Sequence, residues 1–276
     1  MRVGLFGFGR AGKAVAIILL QSKESHLSWV IRKSTVLQHR SVPEFLGIES
    51  DEPGLIFTKD ELPPQKLFDE HPVDVLIDFS SADAILAYGE EAAKRGIAIV
   101  SAISEYPPET IAFLNNLAKQ TKVLWSPNIT IGINFLMLAA KVLQSIAPYI
   151  DIAIIEEHFK AKKEVSGTAR KIAEALSLPD ESIKTIRAGG IVSRHEILMA
   201  FPYQTLRLIH ESVSREAFGN GALFAAQNLV NKKKGLYSME HILMPYFDLS
   251  TPKRTFPIQL EKLQEYFLSL KNRLIQ

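Results

Sequence analysis

Short apolar runs alternate with amphipathic stretches of helix length over the first 125 positions. RVGLF at 2–6 predicts a strand, and KAVAIILLQS at 13–22 carries apolar residues at helical spacing. LSWVI at 27–31 predicts a second strand, about where a βαβ unit closes. Residues 34–70 hold several prolines and little periodicity, and read as irregular. The pattern resumes with VDVLIDF at 73–79, a buried-strand run. A helix over 82–95, the strand IAIV at 97–100, a helix over 107–119 and the strand KVLW at 122–125 follow. Alternation of this kind predicts an α/β, Rossmann-like domain over 1–128, with a parallel sheet and helices on both faces.

After SPN at 126–128 the pattern changes. An apolar helix over about 132–146 leads into the strand DIAIIEE, and a short helix spans 168–176. Three strand-like runs then follow without helices between them: IKTIRAGGIV, HEILMAF and QTLRLIHESV. They predict a mixed or antiparallel sheet, hence a second, α+β domain over 129–214. Helical residues 215–231 return the chain to the first domain, which 215–276 complete. In the tail, Leu260, Leu263, Phe267, Leu270 and Leu274 alternate spacings of three and four. That spacing describes an amphipathic helix, which either covers its own domain or meets a neighbouring subunit.

Composition narrows the classes. The 276 residues carry a net charge of +2, so nothing global favours nucleic acid. The absence of cysteine excludes disulfides, thiolate metal sites and thiol catalysis. MRVGLFGFGR is broken by glycines and does not read as a signal peptide, and no apolar run is long enough to span a membrane. These features predict a cytoplasmic globular protein. The histidines at 26, 39, 71, 195 and 241 show no metal-ligand spacing and read as structural or exposed, so no metal is expected.

Two stretches carry chemistry. Gly7, Phe8, Gly9, Arg10, Ala11 and Gly12 satisfy G-x-G-x-x-G between a strand and a helix. Backbone N–H groups of such a turn approach a dinucleotide pyrophosphate. Gly7, Gly12 and Lys13 also fit a phosphate loop, with VLIDF as its magnesium-binding strand, but Ala14 lacks the hydroxyl that loop needs. Arg32 and Lys33 stand at the end of the second strand, where an NAD enzyme places an acid. Cations there suit the 2′-phosphate of NADPH, with NADH as the alternative.

The second stretch, HFKAKKEVSGTA at 158–169, sets His158, Lys160, Lys162 and Lys163 ahead of a helix start at Ser166, Gly167 and Thr168. Unpaired N–H groups there form a receptor for an anion. Ser166 or Thr168 reads equally as a plain N-cap, and the lysines as a solvated face. With His158 and Lys162 the stretch offers a cationic pocket with two proton donors, suited to reduction of an anionic substrate.

Together these residues resemble the 4-hydroxy-tetrahydrodipicolinate reductases (dihydrodipicolinate reductases) of lysine and diaminopimelate biosynthesis. The likeness runs to about residue 244. It takes in G-F-G-R-A-G, V-D-V-L-I-D-F-S at 73–80, S-P-N-I-T-I-G-I-N at 126–134 and E-x-H-x-x-x-K at 156–162. S-G-T-A at 166–169, R-A-G-G-I-V at 187–192 and H-E-S-V-S-R-E-A-F-G-N-G-A at 210–222 complete it. The resemblance implies a nicotinamide dinucleotide cofactor, a small dicarboxylate substrate and a homotetramer. It places the catalytic pair on His158 and Lys162, and the carboxylate-binding residues on Ser166, Gly167 and Thr168. It places the pyrophosphate on residues 7–12 and the nicotinamide beside Ser126, Pro127, Asn128 and Ile129. His210 and Arg215 match family positions as well. Three departures stand out. Phe159 replaces a second histidine that contacts substrate, Lys163-Glu164-Val165 replaces a lead-in containing proline, and Ser101-Ala102-Ile103 replaces a glycine-threonine-threonine turn beside the nicotinamide. The last motivates an alternative: a catalytically impaired relative that binds dinucleotide as a sensor or assembly partner.

Overall fold

In the computed structural model, which describes residues 1–248, the first strands are buried because their apolar runs are covered on both faces. β1 (Arg2–Phe6), β2 (His26–Arg32), β3 (Leu55–Thr58), β4 (Val75–Asp78), β5 (Ala98–Ser101), β6 (Lys122–Trp125) and β11 (Gly235–Tyr237) make a seven-stranded sheet. The helices between β1 and β6 are α1 (Arg10–Gln21), α2 (Val42–Leu46), α3 (Pro64–Glu70), α4 (Ala84–Lys94) and α5 (Pro108–Ala118). The strand order is β11-β6-β5-β4-β1-β2-β3, and every pairing is parallel.

α6 (Ile131–Ile146), β7 (Asp151–His158), α7 (Gly167–Ala175), β8 (Ile183–Arg187), β9 (Arg194–Phe201) and β10 (Gln204–Glu211) follow. The chain then runs through α8 (Glu216–Leu229) and β11 to α9 (Met239–Leu243). β10-β9-β7-β8 form a second sheet, mixed because β7 pairs with β8 in parallel and with β9 antiparallel. The expected fold class therefore holds: a Rossmann-like parallel sheet with a separate mixed sheet. Both sheets lie within one compact unit, residues 1–244. The tail helix expected from Leu260 to Leu274 lies outside the described residues. Among the described residues no helix is long and apolar enough to cross a membrane.

Each face of the large sheet has its own core. One joins Val15, Ala16 and Leu19 of α1 to Ala222, Ala225 and Leu229 of α8. The other packs Ile85 and Tyr88 of α4 and Leu114 and Leu117 of α5 over Trp29 and Leu76. The third core lies between the small sheet (Ile154, Ile197, Met199) and helices α6 and α7 (Leu136, Ile172).

Residues 34–70 are not irregular, as their pattern suggested. They contain α2, β3 and α3, and β3 is the edge strand beyond β2. A four-residue strand between two short helices is too brief for either period to show. α2 is instead marked by local chemistry: Ser41 accepts from the Glu44 N–H and Gly47 closes the helix at φ 68°.

The turn between β1 and α1 is set by sterics. Gly7 has φ +95°, and a side chain there would meet the Phe79 carbonyl at 2.6 Å. A Cβ on Gly12 would run into the Gly7 carbonyl oxygen, whereas one on Gly9 has nothing within 4 Å. Gly12→Ala is therefore expected to lower stability by about 1–3 kcal/mol, or several degrees of melting temperature. Gly9→Ala is expected to change the melting temperature much less. Thermal unfolding of both variants checks this, and equal losses would contradict it.

Candidate active site

Beyond the glycine turn lies a cavity of about 850 Å³ bounded by Gly7, Phe8 and Gly9, by Arg32 at the end of β2 and Lys33 just past it, and by Ser80 and Ser81 after β4. Gly9 is the N-cap of α1 and makes no side-chain cap, so first-turn N–H groups face an open approach. Ala11 and Gly12 belong to that first turn, and Arg10 is exposed. Phe8 is buried against Phe45. Lys59, one residue past β3, adds a third cation to the cavity, and its N–H donates to the Arg32 carbonyl at 2.9 Å.

The phosphate-loop alternative fails on geometry. The Lys13 ammonium lies 4.6 Å from the centroid of the Phe45 ring, a cation–π contact. Asp78, which would hold magnesium, is fully buried and engaged: it accepts from Tyr88 Oη at 2.6 Å and from the Ser80 N–H at 2.8 Å. Burial pushes its pKa up, against the opposing pull of the Ser80 and Tyr88 hydrogen bonds. The Asp78 bonds instead shape the loop that meets the Gly7 turn.

A second cavity, about 910 Å³, opens between the segment after β6 and the small sheet. Pro127 and Asn128 line it from one side; His158, Lys162, Ser166, Gly167 and Thr168 line it from the other. Arg170, Lys171 and Arg215 add cations to its wall, against the acids Glu105 and Glu174, so the cleft is predominantly basic. Asn128 spans it: its Nδ2 donates to Thr168 Oγ1 at 3.1 Å, and its Oδ1 accepts from Thr130 Oγ1 at 3.0 Å. Ser126 Oγ donates to the Asn128 carbonyl at 2.5 Å, and Ile129 is buried in the core below.

The side chains at the His158 end follow from alternation along β7. Ile154, Glu156 and His158 are its buried positions, all on the face toward α7. Glu156 Oε2 accepts from His158 Nδ1, and Oε1 accepts from Arg187 Nη2 at 2.6 Å and from the Ser166 N–H at 3.3 Å. Burial alone pushes Glu156 up; these hydrogen bonds outweigh it and hold its carboxyl below the usual range. Register sets Glu156 opposite His195 and His195 opposite His210, so the three form a row across β7, β9 and β10. His195 bonds Ser166 Oγ at 3.0 Å through Nε2, and its ring meets that of His158 edge-on at 5.4 Å. Burial, then the neighbouring His158, lowers His195 to about 4, so at neutral pH it is an uncharged partner. His158 is also lowered, chiefly by burial, with Glu156 pulling the other way. Ser166 does stand at the N-cap of α7, but its hydroxyl goes to His195 and makes no cap.

Several expected residues are not brought into either cavity. Of the three lysines only Lys162 lines the cleft, while Lys160 and Lys163 are exposed. Phe159 is 44% exposed and outside the lining, because alternation turns it away from His158. Ser101 and Ile103 are buried, with Ser101 Oγ bonded to Tyr106 Oη at 2.8 Å, and the Ala102 N–H donates to the Asp78 carbonyl at 2.9 Å. The turn they form lines neither cavity. Conversely, Glu156, Arg187 and Lys59 were not expected at a site, and His195 was expected to be structural or exposed. The signal for Glu156 and His195 was present: both are polar residues at core-facing positions of alternating strands.

The chain matches two halves of one family, "Dihydrodipicolinate reductase, N-terminus" over residues 1–129 and "Dihydrodipicolinate reductase, C-terminus" over residues 129–243. It is 35% identical over 192 residues to a 4-hydroxy-tetrahydrodipicolinate reductase of Caldanaerobacter subterraneus subsp. tengcongensis, covering 62% of this chain and 76% of the relative. The Lawsonia intracellularis protein of that name is 33% identical, over 65% of this chain and 80% of its own. Among solved structures, the dipicolinate-bound dihydrodipicolinate reductase of Paenisporosarcina sp. TG-14 superimposes with a TM-score of 0.73 at 22% identity. That match covers 88% of this chain and 99% of the other. An amine dehydrogenase of Mycobacterium smegmatis shares the fold at a TM-score of 0.64 and 13% identity, over 87% of this chain and 95% of its own. With both halves matched in order over nearly its whole length, the chain belongs to the dihydrodipicolinate reductase family.

Proposed function

We propose that this chain reduces 4-hydroxy-tetrahydrodipicolinate, a cyclic dicarboxylate, to tetrahydrodipicolinate with NADPH, as a cytoplasmic step of diaminopimelate and lysine biosynthesis. The observation that carries this reading is the Asn128 to Thr168 hydrogen bond across a basic cleft. It ties the segment expected beside the nicotinamide to the helix start expected to hold a carboxylate. The curated relatives carry this substrate in their names, and the Paenisporosarcina structure is a dipicolinate complex.

The residues present fit a dinucleotide. Gly9 leaves open space at the start of α1, where a side chain would stand between the helix N–H groups and a pyrophosphate. When bound, the dinucleotide supplies the hydride. Net, one hydride and one proton enter and the 4-hydroxyl leaves as water, so the site needs a proton donor. Gly167 and Thr168 present first-turn N–H groups and a hydroxyl to one carboxylate. Lys162, an ammonium with three donors, delivers the proton to the carbon or nitrogen that reduction leaves electron-rich. His158 presents Nε2 to the cleft and stabilises charge beside it.

The roles predict a pattern across three variants. Lys162→Ala should lower kcat by about 10²–10⁴-fold, the usual worth of a general acid, with dinucleotide binding intact. Thr168→Val should instead weaken substrate binding by roughly threefold to tenfold, a single hydrogen bond. His158→Gln should fall between. Steady-state kinetics with enzymatically generated substrate check the pattern; near-normal turnover by Lys162→Ala would remove it.

Cofactor choice rests on Arg32 and Lys33, joined by Lys59 at the same cavity. A charge-assisted bond to a 2′-phosphate is worth about 1.5–3 kcal/mol, so NADPH should bind roughly tenfold or more tightly than NADH. Arg32→Glu should erase or reverse the preference. Titrations of both cofactors measure it, and coincident curves for the unmodified chain would refute it.

A further inference from the structure

We propose that Glu156 and Arg187 are a positioning pair for the reduction site, fixing the His158 ring, the loop that carries Lys162 and Ser166, the N-cap residue of the anion-receptor helix, at once. The proposal deepens the reductase reading and rests on it.

Glu156 is fully buried, and each of its bonded donors belongs to the site: His158 Nδ1, Arg187 Nη2 and the Ser166 N–H. A carboxylate has no proton to give, so His158 must be the donor through Nδ1. That bond fixes the tautomer and leaves Nε2 as the nitrogen for the cleft. The same logic orients a catalytic histidine by a carboxylate elsewhere.

Arg187 ends β8 opposite His158. Its Nε donates to the Lys162 carbonyl at 2.9 Å, and its Nη2 donates to the Glu164 carbonyl at 2.9 Å as well as to Glu156. The planar fork thus clamps the backbone on both sides of Lys163, and with it the stem of Lys162. A lysine at 187 would keep the charge but not the fork.

The titratable and charged groups facing His158 are Glu156 from its own strand, Lys162 from the loop, Arg187 from β8 and His195 from β9. Only Glu156 among the charges favours the imidazolium; burial, Lys162 and Arg187 oppose it. Removing its charge therefore lowers the proton affinity of His158 further.

Glu156→Gln and Arg187→Lys in the full chain test the pair. For Glu156→Gln, kcat should fall about 10–100-fold, the usual cost of losing an orienting partner. NADPH affinity should be unchanged, and the His158 ring, followed by NMR with His158→Gln as the assignment control, should titrate at lower pH. Arg187→Lys should lower kcat while NADPH affinity stays the same. A folded Glu156→Gln protein with wild-type kcat and an unshifted His158 titration would overturn the proposal. If that variant does not fold, wild-type kcat in Arg187→Lys overturns it. An unmodified chain that reduces no substrate would instead refute the reductase reading, which the His158 titration does not depend on.

Discussion

Glu156 is a carboxylate shut off from water in the core of the small sheet, and the geometry around the cleft follows from the donors gathered on it. An unpaired charge there would be strongly destabilising, so His158, Arg187 and the Ser166 N–H are held to it as a group. Those three donors come from β7, β8 and the start of α7, and one carboxylate sets their spacing. From two of those donors a second hydrogen bond extends the cluster. Arg187 reaches the backbone of Lys162, and Ser166 reaches His195.

The large sheet contributes a different constraint. Its parallel strands end together, so the Gly7 turn, the cations after β2 and β3 and the segment after β6 lie along one edge. Gly7 and Gly12 are required by backbone contacts, whereas Gly9 leaves space. The rigid turn and the open approach are thus separate properties of neighbouring glycines. Asn128 then carries the large sheet's edge to the small sheet's helix through Thr168.

Much of this was legible in the sequence, for reasons that differ by element. Buried parallel strands such as β4 and β5 announce themselves as continuous apolar runs. The Gly7–Gly12 spacing and the His158–Lys162 spacing marked the two cavities because chemistry constrains residue type there. β3 is as short as β4 and β5, but the helices beside it are only five and seven residues long, so no helical period frames it. The inward bond from Ser101 to Tyr106, a partner five residues away, is not something motif spacing reveals. Glu156 and His195 were readable in principle from alternation along β7 and β9. The cross-strand register that sets them opposite each other is a tertiary fact. Arg187 falls within the R-A-G-G-I-V run, but its bonds to the Lys162 and Glu164 carbonyls follow from β8 lying beside the end of β7, which no spacing encodes.

The central claim is that a hydride passes directly from the dinucleotide at the glycine turn to a cyclic dicarboxylate in the basic cleft. Supplying nicotinamide cofactor carrying deuterium at C4, on the face transferred, and weighing the product by mass spectrometry tests this most directly. The account predicts tetrahydrodipicolinate heavier by one mass unit, with the label retained in ordinary water. Unlabelled product formed at the rate of cofactor oxidation, or no product at all, would contradict it.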